Sequence, residues 1–184
     1  HDDAKKDYVN NIIINSKVQR PGVCNALETL LINRKVYNTM GRDIISKLID
    51  NNVELFVDRD IKKDFPSLEE VNDIHFATEF HDLKLAIGIV DTLEEAIVHI
   101  QKYSSGHTEG IISESAEVTE KFSQSIDSSV IFINTSTRFT DGEMFGFGAE
   151  VGISTQKLHV RGPMGLEALT SERYVVTTEG MARE

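Results

Sequence analysis

Leu85-Ala86-Ile87-Gly88-Ile89-Val90, followed at once by Asp91-Thr92-Leu93-Glu94-Glu95, is the stretch that decides the fold. A short apolar run bounded by charge reads as a buried strand. The next five residues open a helix. Asp91 or Thr92 offers a capping oxygen, and two glutamates lie at the positive end of the helix dipole. The helix runs to about Tyr103 and stops at Ser104-Ser105-Gly106. A buried strand feeding a helix is half of a parallel strand–helix–strand unit.

The same pattern repeats in both directions. Upstream, residues 2–18 read as a helix with Tyr8, Val9, Ile12 and Ile13 near one face, broken by Pro21-Gly22. Glu28 to Ile32 is a strand. Arg34 to Asp50 is a helix with Val36, Met40, Ile44, Ile45, Leu48 and Ile49 inward, and Val53 to Val57 is a second strand. Ser67 with Glu70 three residues on is a weak capping box and predicts a short helix. Downstream, strands are expected at Glu109–Ile112 and Val130–Ile133, with a helix at Ser115–Ser125 between them. The predicted fold class is α/β: a three-layer, mostly parallel sheet with helices on both faces.

This pattern ends at Asn134. Residues 135–165 hold six glycines (Gly142, Gly146, Gly148, Gly152, Gly162 and Gly165) and little apolar periodicity. The expected division is a thiol-bearing domain over 1–134 and a Gly-rich segment with a tail over 135–184. A long Gly-rich stretch is usually functional or docks elsewhere, so it is predicted to lack a core of its own. Tyr174 to Thr178 reads as a final strand.

With 19 Lys and Arg against 30 Asp and Glu the net charge is −11, and no basic cluster stands out. Nucleic acid and anionic membranes are therefore poor partners. No apolar run approaches a membrane span, and the polar start is unlike a signal peptide. The single cysteine, Cys24, excludes a disulfide within the chain and points to a reducing, cytoplasmic setting. No His or Cys spacing suits a metal, and no Walker or GxGxxG motif occurs. The chain opens His1-Asp2-Asp3-Ala4 without Met and runs straight into a helical pattern, so it is expected to be cut from a longer protein.

Arg20-Pro21-Gly22-Val23-Cys24-Asn25 is the first place for chemistry. A Pro-Gly turn ahead of the thiol, with a helical turn after it, would aim backbone N–H groups at a reacting oxygen and lower the thiol pKa, and Arg20 would add charge. That suits attack on an activated carbonyl. A buried structural cysteine in a tight loop remains the alternative reading of these residues.

Four ordered blocks carry a resemblance: KVQRPGVCNALETLLI from Lys17, SSGHTEGII from Ser104, FINTSTRFTDG from Phe132 and FGFGAEVGISTQKLHVRGPMGLEAL from Phe145. They resemble the gamma-glutamyl phosphate reductases of the aldehyde dehydrogenase superfamily across essentially the whole chain. The resemblance implies NADPH-dependent reduction of L-glutamyl 5-phosphate to L-glutamate 5-semialdehyde in proline biosynthesis. Cys24 is then the nucleophile, forming a thioacyl enzyme as phosphate leaves.

Further roles follow from the same resemblance. Glu79 matches a carboxylate that binds the nicotinamide ribose, and Phe147 a contact to the nicotinamide ring. Ser136, Thr137 and Arg138 match the loop that anchors the substrate tail, where Arg suits the α-carboxylate. His107 gains a substrate-side or domain-contact role, against the plainer reading of a structural histidine. The oxyanion-hole Asn side chain is expected from a missing N-terminal nucleotide-binding domain, and the full-length protein is expected to be a homo-oligomer. Two alternatives stay open: an inactive folded fragment with a structural role, or the reductase domain of a bifunctional proline-pathway synthase.

Overall fold

The computed structural model describes all 184 residues. Helix α1 (Lys6–Val18) leads through the Pro21-Gly22 turn to strand β1 (Thr29–Asn33). A continuous helical run follows, made of α2 (Arg34–Val36), a π-turn (Tyr37–Gly41) and α3 (Arg42–Asp50). The π-turn needs Gly41, because a Cβ there would lie 2.9 Å from Tyr37 Cδ2. Next come β2 (Glu54–Val57), α4 (Arg59–Asp64), β3 (Glu69–Glu70), α5 (Asp73–Phe76) and β4 (Lys84–Val90). Helix α6 (Leu93–Tyr103), β5 (Thr108–Ile111), α7 (Ala116–Ser125) and β6 (Val130–Ile133) complete the α/β part.

Caps placed in the sequence do set helix starts. Thr92 accepts from the Glu95 amide at 3.1 Å, and Ser115 from the Val118 amide at 3.3 Å. The Ser67–Glu70 signature instead falls in a turn and the two-residue strand β3. The box forms five residues on, where Asn72 accepts from the His75 amide and His75 Nδ1 accepts from the Asn72 amide. Helix α4 escaped the reading because it is charged almost throughout, with Ile61 its one fully buried anchor.

All pairing among the first six strands is parallel, but it makes two sheets. One has the order β1-β4-β2-β3, and β5-β6 stands as a separate pair. In the larger sheet Leu85, Ile87, Leu55, Val57 and Ile32 face α1, α3 and α4, meeting Val9, Ile13, Ile44, Ile45, Leu48 and Ile61. The opposite face receives Phe76, which packs on the bare backbone of Gly88 and edge-on against His99 of α6. Helices therefore cover both faces, and α6 and α7 build a smaller core with Ile111 of β5 from Ile97, Phe122 and Ile126.

After Asn134 come a single 3₁₀ turn (Thr137–Phe139), an antiparallel hairpin of β7 (Gly152–Ser154) and β8 (Gly162–Met164), and a second 3₁₀ turn (Glu167–Leu169). The hairpin was not anticipated: its strands are three residues long and carry Gly and Pro. Tyr174–Thr178 forms no strand, and Tyr174, Val175 and Val176 are exposed. No helix is long and apolar enough to cross a membrane.

Leu48 has no exposed surface and Leu158 is 98% exposed. Leu48→Ala is expected to cost about 2–5 kcal/mol, seen as a lower urea midpoint. Leu158→Ala is expected to leave that midpoint unchanged.

Candidate functional site

Cys24 is held from three sides. Behind it, the Ala26 amide donates to the Val23 carbonyl at 3.0 Å, closing a turn rather than the helical turn predicted after the thiol. The Leu27 amide donates to the Ser16 carbonyl of α1 at 3.0 Å. Beneath it, Lys17, with no exposed side-chain surface, donates to Glu28 at 3.1 Å. Burial pushes Lys17 down and Glu28 up from their ordinary values, each opposed by its partner's charge. Glu28 also accepts from the His81 amide at 3.3 Å, so it ties the thiol loop to the loop bearing Glu79.

The third side is the segment after β6. Asn25 is buried, and its Nδ2 donates to the Thr140 carbonyl at 2.8 Å. The Thr137 hydroxyl donates to the Asn25 carbonyl at 2.6 Å. The Ser136 hydroxyl donates to Asn15 Oδ1 at 2.6 Å and pairs with Ser16. Both hydroxyls assigned to the substrate tail are thus buried and engaged in fastening this segment to α1 and the thiol loop. Arg138 differs. Its Nε donates to Gln19 at 2.8 Å, and no carboxylate forms an ion pair with it or with Arg20.

A cavity of about 580 Å³ opens beside the thiol, with Cys24, Asn25, Glu79, His107 and Thr137 in its wall. His107 is buried. Its Nδ1 shares a hydrogen bond with the Thr108 hydroxyl at 2.7 Å, and its Nε2 has no partner. Burial holds the imidazole below its ordinary pKa despite the nearby charges of Glu79 and Glu150, which favours the neutral ring. Thr108 shares a hydrogen bond with the Thr140 hydroxyl at 2.9 Å. A relay of contacts thus joins His107 to Asn25, the residue after the thiol.

The thiol pKa runs opposite to expectation. Partial burial raises it first, then the charge of Glu150. The thiol's own backbone amide and Arg138 lower it, and Glu79 adds a smaller rise. The cation that acts on the resting thiol is therefore Arg138 rather than Arg20. Glu150 was missed, since one carboxylate among 30 acidic residues carries no local signature. It arrives through the tight fold of the Gly-rich loop. A Cβ on Gly142 would sit 2.6 Å from the Ala149 carbonyl oxygen, and Glu150 accepts from the Gly142 amide at 2.9 Å. Phe147 stands on the same loop, half exposed and edge-on to Phe145 at 6.0 Å, outside the cavity wall.

Two outcomes follow for the site. Removing one negative charge near the thiol, Glu150→Gln, is expected to speed iodoacetamide alkylation of Cys24 several-fold at pH 7.5, with Arg138→Met slowing it. Glu109 is pushed by burial from 4.5 up to about 7, against the hydrogen bonds of Ser104 and Ser128. The folded chain then binds more protons than the unfolded one between those values, so this group makes stability fall as pH rises from about 4.5 to about 7. Glu109→Gln is expected to raise the melting temperature relative to the parent at pH 7 and to show little difference at pH 4.5.

No family model matches the chain. A gamma-glutamyl phosphate reductase of Thermoanaerobacter sp. is 48% identical over 181 residues, covering 98% of this chain and 44% of the relative. The crystal structure of gamma-glutamyl phosphate reductase from Thermotoga maritima superposes with a TM-score of 0.92 at 42% identity, over 99% of this chain and 44% of that one. At 16% identity, a glyceraldehyde-3-phosphate dehydrogenase from Methanocaldococcus jannaschii, solved with NADP, matches 73% of this chain and 38% of its own with a TM-score of 0.58, which speaks for the fold alone. The chain thus spans less than half the length of the curated relatives it matches. By sequence the chain is similar to the gamma-glutamyl phosphate reductases, and its fold is like that of the solved reductase and dehydrogenase chains on which it superposes.

Proposed function

We propose that this chain is the thiol-bearing part of an NADPH-dependent reductase that converts L-glutamyl 5-phosphate to L-glutamate 5-semialdehyde and phosphate, in cytoplasmic proline biosynthesis. The observation that carries the reading is a solvent-facing thiol with two guanidinium groups free of carboxylate partners nearby, in a chain of net charge −11. Such unpaired cations suit a substrate that brings its own anions.

The chemistry follows from those groups. Cys24 gives its proton to solvent water, and its sulfur bonds to the acyl carbon. The carbon–oxygen bond to phosphate breaks, and phosphate leaves with the electron pair. Arg138 takes the α-carboxylate of the glutamyl tail, with Ser136 and Thr137 fixing its loop. Arg20, more exposed, meets the departing phosphate. His107 offers its unpartnered Nε2 to a polar group in the cavity.

The residues present fit one end of a nicotinamide cofactor. Glu79 is exposed on the cavity wall, its carboxylate 3.5 Å from His81, and so can accept from a ribose diol. Phe147 offers an exposed ring. The cofactor, when bound, supplies the hydride. Its adenine end is left to a nucleotide-binding domain beyond these residues, and the complete protein works as a homo-oligomer.

In a full-length protein carrying this sequence, Cys24→Ser is expected to abolish reduction of glutamyl phosphate and formation of the thioacyl adduct. The 184-residue chain alone is expected to show no turnover and NADPH binding weaker than micromolar by calorimetry, because most contacts that offset the cost of ordering the ligand are elsewhere. Near-parental turnover in the serine variant would refute the role of the thiol.

A further inference from the structure

We propose that Glu150 seats the α-ammonium of the substrate and, with Arg138, recognises the two opposite charges of an α-amino acid tail. This deepens the reaction proposed above and rests on it: the site selects aminoacyl phosphates over plain acyl phosphates.

Local hydrogen bonding fixes where the carboxylate stands. The segment after β6 is fastened to the thiol loop, with the Thr137 hydroxyl donating to the Asn25 carbonyl at 2.6 Å and Asn25 Nδ2 to the Thr140 carbonyl at 2.8 Å. Two residues on, Gly142 receives the return of the Gly-rich loop. Its amide donates to a Glu150 carboxylate oxygen at 2.9 Å, and its carbonyl accepts from the Phe147 amide at 2.8 Å. A Cβ on Gly142 would lie 2.9 Å from Glu150 Cβ, and one on Gly165 would lie 3.1 Å from the Ala149 carbonyl oxygen. Glycines on both sides thus let the backbone close around this residue. All these partners belong to the chain itself, so the placement does not depend on residues outside it.

The charge of Glu150 acts on both Cys24 and His107, and Arg138 acts on the same thiol with the opposite sign. An anion and a cation from one segment therefore meet at the nucleophile. Neither answers the other. Arg138 Nε donates to Gln19 at 2.8 Å, and Glu150 accepts from the Gly142 amide and forms no ion pair with a Lys, Arg or His of the chain. Other acids of the site are committed. Glu28 accepts from Lys17 at 3.1 Å, and Asp141 accepts from the Glu143 and Met144 amides at 2.9 and 3.1 Å.

A carboxylate that opposes ionisation of a nucleophile is a burden unless the substrate cancels it. The α-carbon of a glutamyl group lies three carbon–carbon bonds from the carbon that the sulfur attacks, and it carries an ammonium and a carboxylate. An ammonium has three N–H donors and no acceptor, so a carboxylate is the side chain that suits it. With the tail's carboxylate on Arg138 and its ammonium on Glu150, the charge that hinders the resting thiol is answered as the correct substrate arrives. An acyl phosphate without the amino group leaves that charge in place.

The test uses a full-length protein carrying this sequence. It compares kcat/KM for freshly prepared L-glutamyl 5-phosphate with that for glutaryl phosphate, the same acyl phosphate without the amino group. Glu150→Gln keeps an oxygen for the Gly142 amide and removes the charge. It is expected to lower the preference for the aminoacyl substrate about 10- to 100-fold, the size of one lost charge-assisted hydrogen bond, with the change carried by KM. Glu150→Asp is expected to recover part of that preference. Equal losses on both substrates, an unchanged preference, or a parent that reduces both equally well overturns the inference and leaves the reaction standing. A parent that reduces neither acyl phosphate overturns the proposed reaction and this inference with it.

Discussion

A cation without exposed surface constrains everything around the thiol. Lys17 cannot be left alone in an apolar interior, and Glu28 is the group that answers it. Glu28 is also where β1 begins its ladder, through its carbonyl to Ala86, and where the Glu79 loop is tied, through the His81 amide. One residue therefore fixes a helix, a sheet and a loop in a common frame, and Cys24 lies four residues ahead of it. Shifting β1 by one residue would turn this carboxylate to the other face of the sheet and leave the lysine unpaired.

The segment after β6 completes the frame from the opposite side. Ser136, Thr137 and Thr140 bond to α1 and to the thiol loop, and Thr140 continues through Thr108 to His107. Hydroxyl-rich sequence at a strand end reads equally well as a ligand contact or as a fastener. Here the buried hydroxyls fasten, and Arg138, which follows them, is the group left open to the thiol. Placing a side chain toward a ligand means immobilising its neighbours first.

Much of the fold was legible because it depends on short-range pattern. β4 and α6 follow from an apolar run and a Thr cap. What escaped depends on pairing or on distant contact. β3 is two exposed glutamates that become a strand only because β2 is beside them. Strand–helix alternation implies parallel strands, yet cannot say which are neighbours, so the division into two sheets was invisible. At the site, Cys24 and His107 were nameable from their blocks and Glu79 from its place in the wider resemblance, and the three share one cavity. The raised thiol pKa was not, because burial and Glu150 act across sequence separations that no local motif records.

Arg138, the cation that acts on the thiol, sits in a chain of net charge −11, and that contrast separates the approach of an anion from its capture. At distances beyond the Debye length, about 8 Å at physiological ionic strength, salt hides the overall repulsion from an incoming anion. Within that length the anion meets the Arg138 guanidinium, which forms no ion pair with a carboxylate of the chain. Added salt therefore eases the journey and weakens the grip, so encounter rate and residence time respond to ionic strength with opposite sign.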